Sequence, residues 1–126
     1  MRTIKFRAQD IASNKWLYGD LRHHKDDVCI FKQEGNSGEQ VKPDTIGQFT
    51  GLYDVDGQEI YEGDIVAITE LAVQNSRKMI AQIVYDEDMG CFNFKVSDLE
   101  WCMCVSIPYI AMKIIGNIHD NPDLIK

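Results

Sequence analysis

Hydrophobic and polar positions alternate with a period of two along much of the chain. Around residues 3–9, apolar side chains at every second position alternate with Lys5, Arg7 and Gln9. This alternation is typical of a strand with one face against a core, because successive side chains of a strand point to opposite sides of its sheet. The same reasoning predicts the main strands, near residues 3–9, 46–53, 64–69, 79–85 and 91–96.

Turn signals lie between these segments and divide the chain into short pieces. Asp56-Gly57 is a strong hairpin signal, and the polar run Asp86–Gly90 joins two predicted strands as a hairpin. Residues 33–40 predict a polar loop, whereas Leu99–Ser106 is compatible with either a short helix or another strand. The sequence contains no long amphipathic helix. Many short strands at regular spacing predict a mainly β fold, arranged as a small barrel or sandwich.

The size and composition of the chain suit one folded domain. It has 126 residues, of which 44% are hydrophobic and 26% charged. A chain of this length buries roughly two-thirds of the surface that its unfolded form exposes, which provides a core without disulfides. We therefore predict a single domain over residues 1–126.

Gly63 and Asp64 mark a tight corner before the apolar run Ile65–Ile68. Glycine adopts positive φ readily, and an aspartate beside it accepts backbone N–H bonds. The corner is similar to the start of the first long strand of SH3-like barrels. It therefore indicates a small SH3-like barrel-type domain with additional N-terminal β-strands and little helix, which concerns the fold and not the function.

No targeting or membrane segment is visible in the sequence. No apolar run reaches the roughly 18 residues of a membrane span. In Met1–Arg7, charged residues alternate with larger side chains, whereas a signal peptide has a continuous apolar segment. There are four cysteines, Cys29, Cys91, Cys102 and Cys104. We interpret them as free thiols of a cytoplasmic protein, mostly small buried groups, and we expect no membrane partner.

Charge is unevenly distributed along the chain. The formal net charge is −7, from 13 basic and 20 acidic side chains. Residues 1–42 carry a net charge of +2, and residues 43–126 carry a net charge of −9. An acidic chain is a poor general binder of nucleic acid, because nonspecific affinity comes from neutralising phosphates. The split favours a homo-oligomer joined by complementary charges, although an unevenly charged solvated surface explains it more simply.

Two candidate metal sites fail on the spacing of their ligands. Asp54 and Asp56-Gly57 suggest a calcium loop, but an EF-hand alignment puts Leu52 and Gly63 where carboxylates are needed. The pair in Cys102-Met103-Cys104 lacks the Cys-x₂₋₄-Cys spacing of structural zinc sites. We therefore predict no metal, and we assign the aspartates to a turn and the cysteines to the core.

The sequence contains no recognisable catalytic constellation. His23 and His24 lie in a charged segment that predicts a surface loop, and His119 precedes Asp120. The nucleophile-elbow, P-loop and zinc-protease motifs are all absent from the sequence. We expect a protein without enzymatic activity, without a cofactor and with no catalytic residue to name.

The aromatic side chains keep nucleic-acid binding open as an alternative. A base-stacking platform like that of small barrels that bind single strands would use Trp16, Tyr18, Phe49, Tyr53, Tyr61 and Tyr85. Such a platform also needs a basic groove, whereas the second two-thirds of the chain is acidic. Core packing and contact with protein are therefore the favoured roles of these rings.

Three segments together resemble the YopX family of phage and prophage proteins. They are Ile4–Ala8, the glycine-rich block formed by Ile46–Asp54 and Glu59–Val66, and Ile115–Pro122. These segments occur in the family's order and span nearly the whole chain. The resemblance implies a mainly β fold, an origin in phages, prophages or related mobile elements of a bacterial host, and no established activity.

The sequence thus supports one hypothesis and one alternative. The hypothesis is a nonenzymatic phage accessory protein whose β domain binds a host or phage protein, or a second copy of itself. The alternative is a nucleic-acid-associated small β-barrel that uses the basic N-terminal third. No binding residue is singled out by the sequence.

Overall fold

The computed structural model describes residues 1–32, 37–75 and 77–125. Strands account for 55% of the described residues and helices for 12%, so the prediction of a mainly β fold is confirmed. The chain divides into two compact units, Met1–Gly51 and Leu52–Lys126. The single domain over residues 1–126 and its SH3-like barrel stay predictions.

The first unit is built from antiparallel strands around one small core. Its elements are β1 (Phe6–Gln9), β2 (Trp16–His24), β3 (Asp27–Phe31), β4 (Gly38–Gln40), a 3₁₀ helix (Pro43–Thr45) and most of β5 (Gly47–Tyr53). The strands are hydrogen-bonded in the order β4-β3-β2-β1-β5. Alternate residues of β2 and β3, such as Leu17, Val28 and Ile30, fill the core. In these two strands, the apolar positions of the alternating sequence pattern are therefore the ones that face the core.

The second unit contains a five-stranded antiparallel sheet. Its elements are β6 (Glu59–Tyr61), β7 (Asp64–Glu70), β8 (Met79–Asp86), β9 (Cys91–Val96), β10 (Leu99–Cys102), α1 (Met103–Ser106), β11 (Ile110–Asn117) and 3₁₀ helices at Ile107–Tyr109 and Pro122–Ile125. The sheet order is β10-β9-β8-β7-β11. The predicted hairpin of β8 and β9 is confirmed, with Ile83 opposite Phe94. The segment Leu99–Ser106 forms a strand followed by one turn of helix.

Strand β7 lies between β8 and β11 and is buried on both sides. Every residue of Asp64–Ile68 is buried. Val66 and Ile68 belong to the main core of the unit, and Ile65 and Ala67 lie on the opposite side of the sheet, because strand side chains alternate. A strand with two buried faces carries a continuous apolar run, which is why the sequence shows no alternation here.

The strand positions predicted from the sequence are confirmed, with small changes at their ends. The first strand starts at Phe6, later than residue 3, and β7 and β8 each extend one residue further than predicted. Of the polar loop predicted over residues 33–40, residues 33–36 lie outside the described residues, and the prediction is wrong for Gly38–Gln40, which forms β4 and pairs with β3. Over the described part of the chain, every helix is too short or too polar to cross a membrane.

Candidate functional site

The second unit contains a concave surface, a groove of about 650 Å³. It lies between the first residues of β8, the last residues of β9 and the C-terminal 3₁₀ helix. Two lysines, Lys78 and Lys95, line it together with the apolar side chains of Met79, Leu124 and Ile125. These three apolar side chains are each about two-fifths exposed, at 41%, 42% and 42%. We refer to this surface as the lysine groove.

Strand pairing places Lys95 in the lysine groove. Gln82 is the partner of Ile65 on one side and of Lys95 on the other, so all three project from the same face of the sheet. Lys78 immediately precedes Met79, the first residue of β8, and lines the groove at that end of the strand. The sheet therefore brings together two cations that lie 17 positions apart in the sequence.

The C-terminal wall of the lysine groove is positioned by asparagine side chains. Asn117 Oδ1 accepts the backbone N–H groups of His119 at 3.0 Å and Asp120 at 2.9 Å. Asn121 Oδ1 in turn accepts the N–H of Asn117 at 3.2 Å. These bonds turn the chain after β11, so that the following 3₁₀ helix lies against β8. The polar residues of Ile115–Pro122 thus form a turn that presents Leu124 to the groove.

The lysine groove is cationic within an acidic unit. Residues 52–126 contain five basic and thirteen acidic side chains. Two of the five basic side chains line the groove, and its lining, among the described residues, includes no carboxylate. Glu100 is the strand partner of Lys95 and is exposed, so one carboxylate lies beside the groove. The local charge of the lining is therefore opposite in sign to that of the unit.

Asp54 forms a polar anchor at the hairpin turn. Its Oδ1 accepts the N–H groups of Asp56 and Gln58, each at 2.9 Å, and its Oδ2 accepts that of Ile114 in β11 at 3.0 Å. Burial alone raises the pKa of this carboxyl, but the three N–H groups outweigh it and hold the pKa below its ordinary value. The assignment of Asp54 to a turn is confirmed. The sequence does not predict the hydrogen bond that Asp54 accepts from Ile114 in β11.

The corner before β7 also forms as predicted. Gly63 has a φ of +94°, its N–H donates to Ile83 O at 2.8 Å, and its carbonyl accepts the N–H of Ile118 at 2.9 Å. Asp64 Oδ2 accepts the N–H of Tyr61 at 2.7 Å. The backbone bonds of Gly63 and the carboxylate of Asp64 therefore hold the backbone of this corner in place.

The cysteines depart from the prediction that they are mostly buried core groups. Cys29, Cys91 and Cys102 are half-buried, and Cys104 is exposed. The strand ends at Cys102 and a helical turn begins at Met103, so Cys104 is not carried on a strand face toward the core. The Sγ atoms of Cys102 and Cys104 lie 2.8 Å apart. In the described part of the chain, no cluster of His, Cys, Asp or Glu has a geometry suited to a metal ion.

The histidines lie in different units. His23 and His24 end β2 in the first unit and are exposed, whereas His119 lies half-buried in the C-terminal turn of the second. The predicted surface position of the histidine pair is confirmed, although the pair ends a strand and does not lie in a loop.

The six aromatic residues considered for base stacking do not form one exposed set. Phe49 and Tyr61 are buried, which confirms core packing for those two. The guanidinium of Arg7 lies 4.7 Å from the centre of the Trp16 ring and covers one face of it. Tyr85 packs edge-on against Phe92, with 5.2 Å between the ring centres.

Comparison with known proteins gives a family and a solved structure. The sequence model of the family described as YopX protein matches residues 5–126. The crystal structure of protein EF1440 from Enterococcus faecalis is similar over 100% of both chains, with 27% sequence identity and a TM-score of 0.61. The comparison with curated proteins gives no match.

Proposed function

We propose that this chain, which belongs to the YopX family, is a nonenzymatic phage or prophage accessory protein that acts in the bacterial cytoplasm by binding another protein. The observation that carries the proposal is the lysine groove, a concave surface that combines cations with exposed apolar side chains. Exposed apolar groups bordered by charge are typical of protein-binding surfaces.

The chemistry of the lysine groove favours one kind of partner segment. Lys78 and Lys95 attract carboxylates, and Met79, Leu124 and Ile125 offer apolar contact area. An extended acidic segment with interspersed apolar side chains fits both requirements. We propose that such a segment of a host or phage protein is the occupant of the groove.

A nonenzymatic role fits the way that three of the thirteen acidic side chains of the second unit are used. Asp54, Asp64 and Asp86 each accept backbone N–H bonds in turns or corners. A general acid or base needs a carboxyl group within reach of a substrate proton. These three carboxylates are instead held by the backbone that they stabilise.

Nucleic acid is a less suitable partner because two of the three arginines of the first unit, Arg7 and Arg22, contact aromatic rings. Arg7 lies over Trp16, and Arg22 lies over Phe31 with 4.4 Å between its guanidinium carbon and the ring centre. A base-stacking platform needs free ring faces beside free cations. Self-association remains our second proposal for the partner, because sheet edges favour pairing between copies.

The proposal is tested with a fluorescent acidic peptide in which aspartate and leucine alternate. Fluorescence anisotropy is measured for the unaltered chain and for the double variant Lys78→Glu/Lys95→Glu, at low and at moderate salt. We expect the double variant to weaken binding by about tenfold or more, which corresponds to about 1.4 kcal/mol. Salt should also weaken binding to the unaltered chain, because carboxylate–ammonium attraction is screened.

A matched control separates the groove from net charge. Lys25→Glu/Lys32→Glu makes the same change in charge at two exposed positions of the first unit. It should leave peptide affinity unchanged. Equal weakening by both double variants would refute the groove as the binding surface. Tighter binding of a single-stranded oligonucleotide than of the peptide would favour the nucleic-acid alternative.

A further inference from the structure

Three thiols lie close together on the β9–β10 side of the second unit. Cys102 Sγ is 2.8 Å from Cys104 Sγ, and Cys91 Sγ donates a hydrogen bond to Asn93 Oδ1 at 3.3 Å. Asn93 is the strand partner of Cys102, so Cys91 lies on the same sheet face, two residues along the neighbouring strand. The cluster is solvent-accessible, since Cys104 is exposed and the other two are half-buried.

The backbone between Cys102 and Cys104 suits a bond between their sulfur atoms. Cys102 has extended backbone angles, φ −63° and ψ 132°, and Met103 begins a helical turn. Two residues span at most about 7 Å between Cα atoms when fully extended, and a helical residue between them shortens that span. Disulfides form across Cα separations of about 4.4–6.8 Å with sulfur atoms about 2.05 Å apart. The two sulfur atoms are therefore within a small side-chain movement of bonding distance.

We propose that Cys102 and Cys104 form a reactive dithiol site that small-molecule disulfides oxidise reversibly to an intrachain disulfide. This site is independent of the lysine groove and of the proposed binding function. Cys102 is the attacking thiol, and Cys104 is the resolving thiol.

The exchange takes place in two balanced steps. The Cys102 thiolate attacks one sulfur of a small disulfide, which forms a mixed disulfide on Cys102 and releases one small thiolate. The Cys104 thiolate then attacks Cys102 Sγ, which forms the Cys102–Cys104 bond and releases the second small thiolate. The protein dithiol loses two electrons and two protons, and the small disulfide is reduced to two thiols.

The surroundings of the three thiols assign the attacking role to Cys102. A hydrogen bond from the Cys104 thiol and then one from the backbone of Cys104 lower the pKa of Cys102. The pKa of Cys104 is raised, first by its hydrogen bond to Cys102, and burial raises the pKa of Cys91. The thiolate is the reacting form of cysteine, so Cys102 is the first of the three to react.

The test uses the full chain, oxidised glutathione as the probe, and alkylation followed by tryptic mass mapping. Cys102 and Cys104 share one tryptic peptide, Val96–Lys113, whereas Cys91 and Cys29 lie in two others. We expect oxidation to remove two alkylatable thiols and to lower the mass of Val96–Lys113 by two hydrogen atoms. A thiol reductant should restore all four thiols.

Single replacements distinguish the roles of the three thiols. Cys104→Ser should trap glutathione on Cys102 as a stable adduct, whereas Cys29→Ser, the matched control, should leave the disulfide unchanged. Cys91→Ser should still form the Cys102–Cys104 disulfide. Circular dichroism checks that each variant is folded. Four alkylatable thiols after oxidation, a crosslink between the Cys91 peptide and Val96–Lys113, or a stable adduct on the unaltered chain would each overturn the proposal.

Discussion

The charged side chains of the two units make different kinds of contact, although one carboxylate of the first unit, Asp10, also accepts backbone N–H groups in a turn. In the first unit, cations lie over aromatic rings, as Arg7 does over Trp16 and Arg22 over Phe31. In the second unit, carboxylates accept backbone N–H bonds at turns, as Asp54 does for three N–H groups. Some of the basic side chains of the first unit and of the acidic side chains of the second are therefore explained by contacts inside their own unit. The uneven charge along the sequence is for this reason a weaker argument for attraction between copies.

The cores of the two units also differ in size. The second unit buries eight residues in its main cluster, and the first unit buries five. The second core also includes a ring pair, in which the centres of Phe94 and Trp101 lie 5.8 Å apart. We infer that the second unit contributes more of the stability, because buried apolar area is the main stabilising term.

The largest effect that we predict comes from Phe94→Ala. The side chain is fully buried, so its removal leaves a cavity and should lower the free energy of unfolding by about 3–5 kcal/mol. Urea denaturation followed by circular dichroism measures this value. Ile30→Ala in the first unit removes a smaller buried side chain and should cost less. A larger loss for Ile30→Ala would reverse the comparison of the two cores.

Hydrogen exchange on the Phe94→Ala variant tests the predicted single domain. If residues 1–126 fold as one cooperative domain, amide protection should fall in β2 and β3 as well as in β7 and β8. Protection that falls in the second unit alone would show that the two units unfold separately.

The next effect concerns the aspartate anchors. Asp54→Ala leaves three N–H groups without their acceptor and should lower the free energy of unfolding by about 2–3 kcal/mol. Asp10→Ala is the matched change in the first unit, where the carboxylate accepts the N–H groups of Ala12 and Ser13 within one exposed turn. It should cost about 1 kcal/mol or less. If both variants lower the free energy of unfolding equally, the hydrogen bond between Asp54 and β11 does not add to stability.

Acid titration sharpens the prediction for Asp54. Its folded pKa lies below the unfolded value of about 3.9, so its stabilising contribution is complete above that pH and is lost as the pH falls through the folded pKa. The stability difference between the unaltered chain and Asp54→Asn should therefore shrink in acid. A difference that stays constant from neutral pH to about pH 2 would contradict this assignment.

Gly63→Val should have a smaller effect, with a loss of about 1 kcal/mol or more. A β-branched residue tolerates the positive φ of Gly63 poorly, and the position is buried. Gly57→Val is the control, because Gly57 also has a positive φ but has open space around it. An unchanged melting temperature for Gly63→Val together with lost peptide binding would show that the corner is functional and not structural.

The smallest effect that we predict is for Arg22→Gln. Losing the contact with Phe31 at an exposed site should cost about 0.5–1 kcal/mol in thermal or urea unfolding. Lys25→Gln removes one exposed positive charge from the adjoining turn and serves as the control. If both variants lose the same stability, the ring contact contributes nothing beyond net charge.

The sequence predicts local structure well because local structure depends on neighbouring residues. The alternation around Phe6 and the hairpin signal at Asp56-Gly57 identify strands and turns that the structure contains. The sequence also identifies the corner at Gly63, because few residues other than glycine adopt its backbone angles.

The features that the sequence misses depend on distant pairing. Asp54 and Ile114 are 60 residues apart, and nothing in the composition of either segment connects them. Lys78 and Lys95 line one groove only because β8 pairs with β9 in one register. The prediction that the cysteines lie in the core is wrong for Cys104, which is exposed. The sequence is compatible with either a strand or a helix over Leu99–Ser106. The chain changes from strand to helix after Cys102, and this change determines the exposure of Cys104.

NMR spectroscopy can show whether the lysine groove binds an acidic, apolar segment of a protein. Backbone amide shifts of the labelled full chain are followed during titration with the alternating aspartate–leucine peptide. If the groove is the binding surface, the shift changes should concentrate in Lys78–Gln82, Lys95–Ser97 and Leu124–Ile125. Shift changes centred in the first unit, or none at concentrations where anisotropy reports binding, would contradict it.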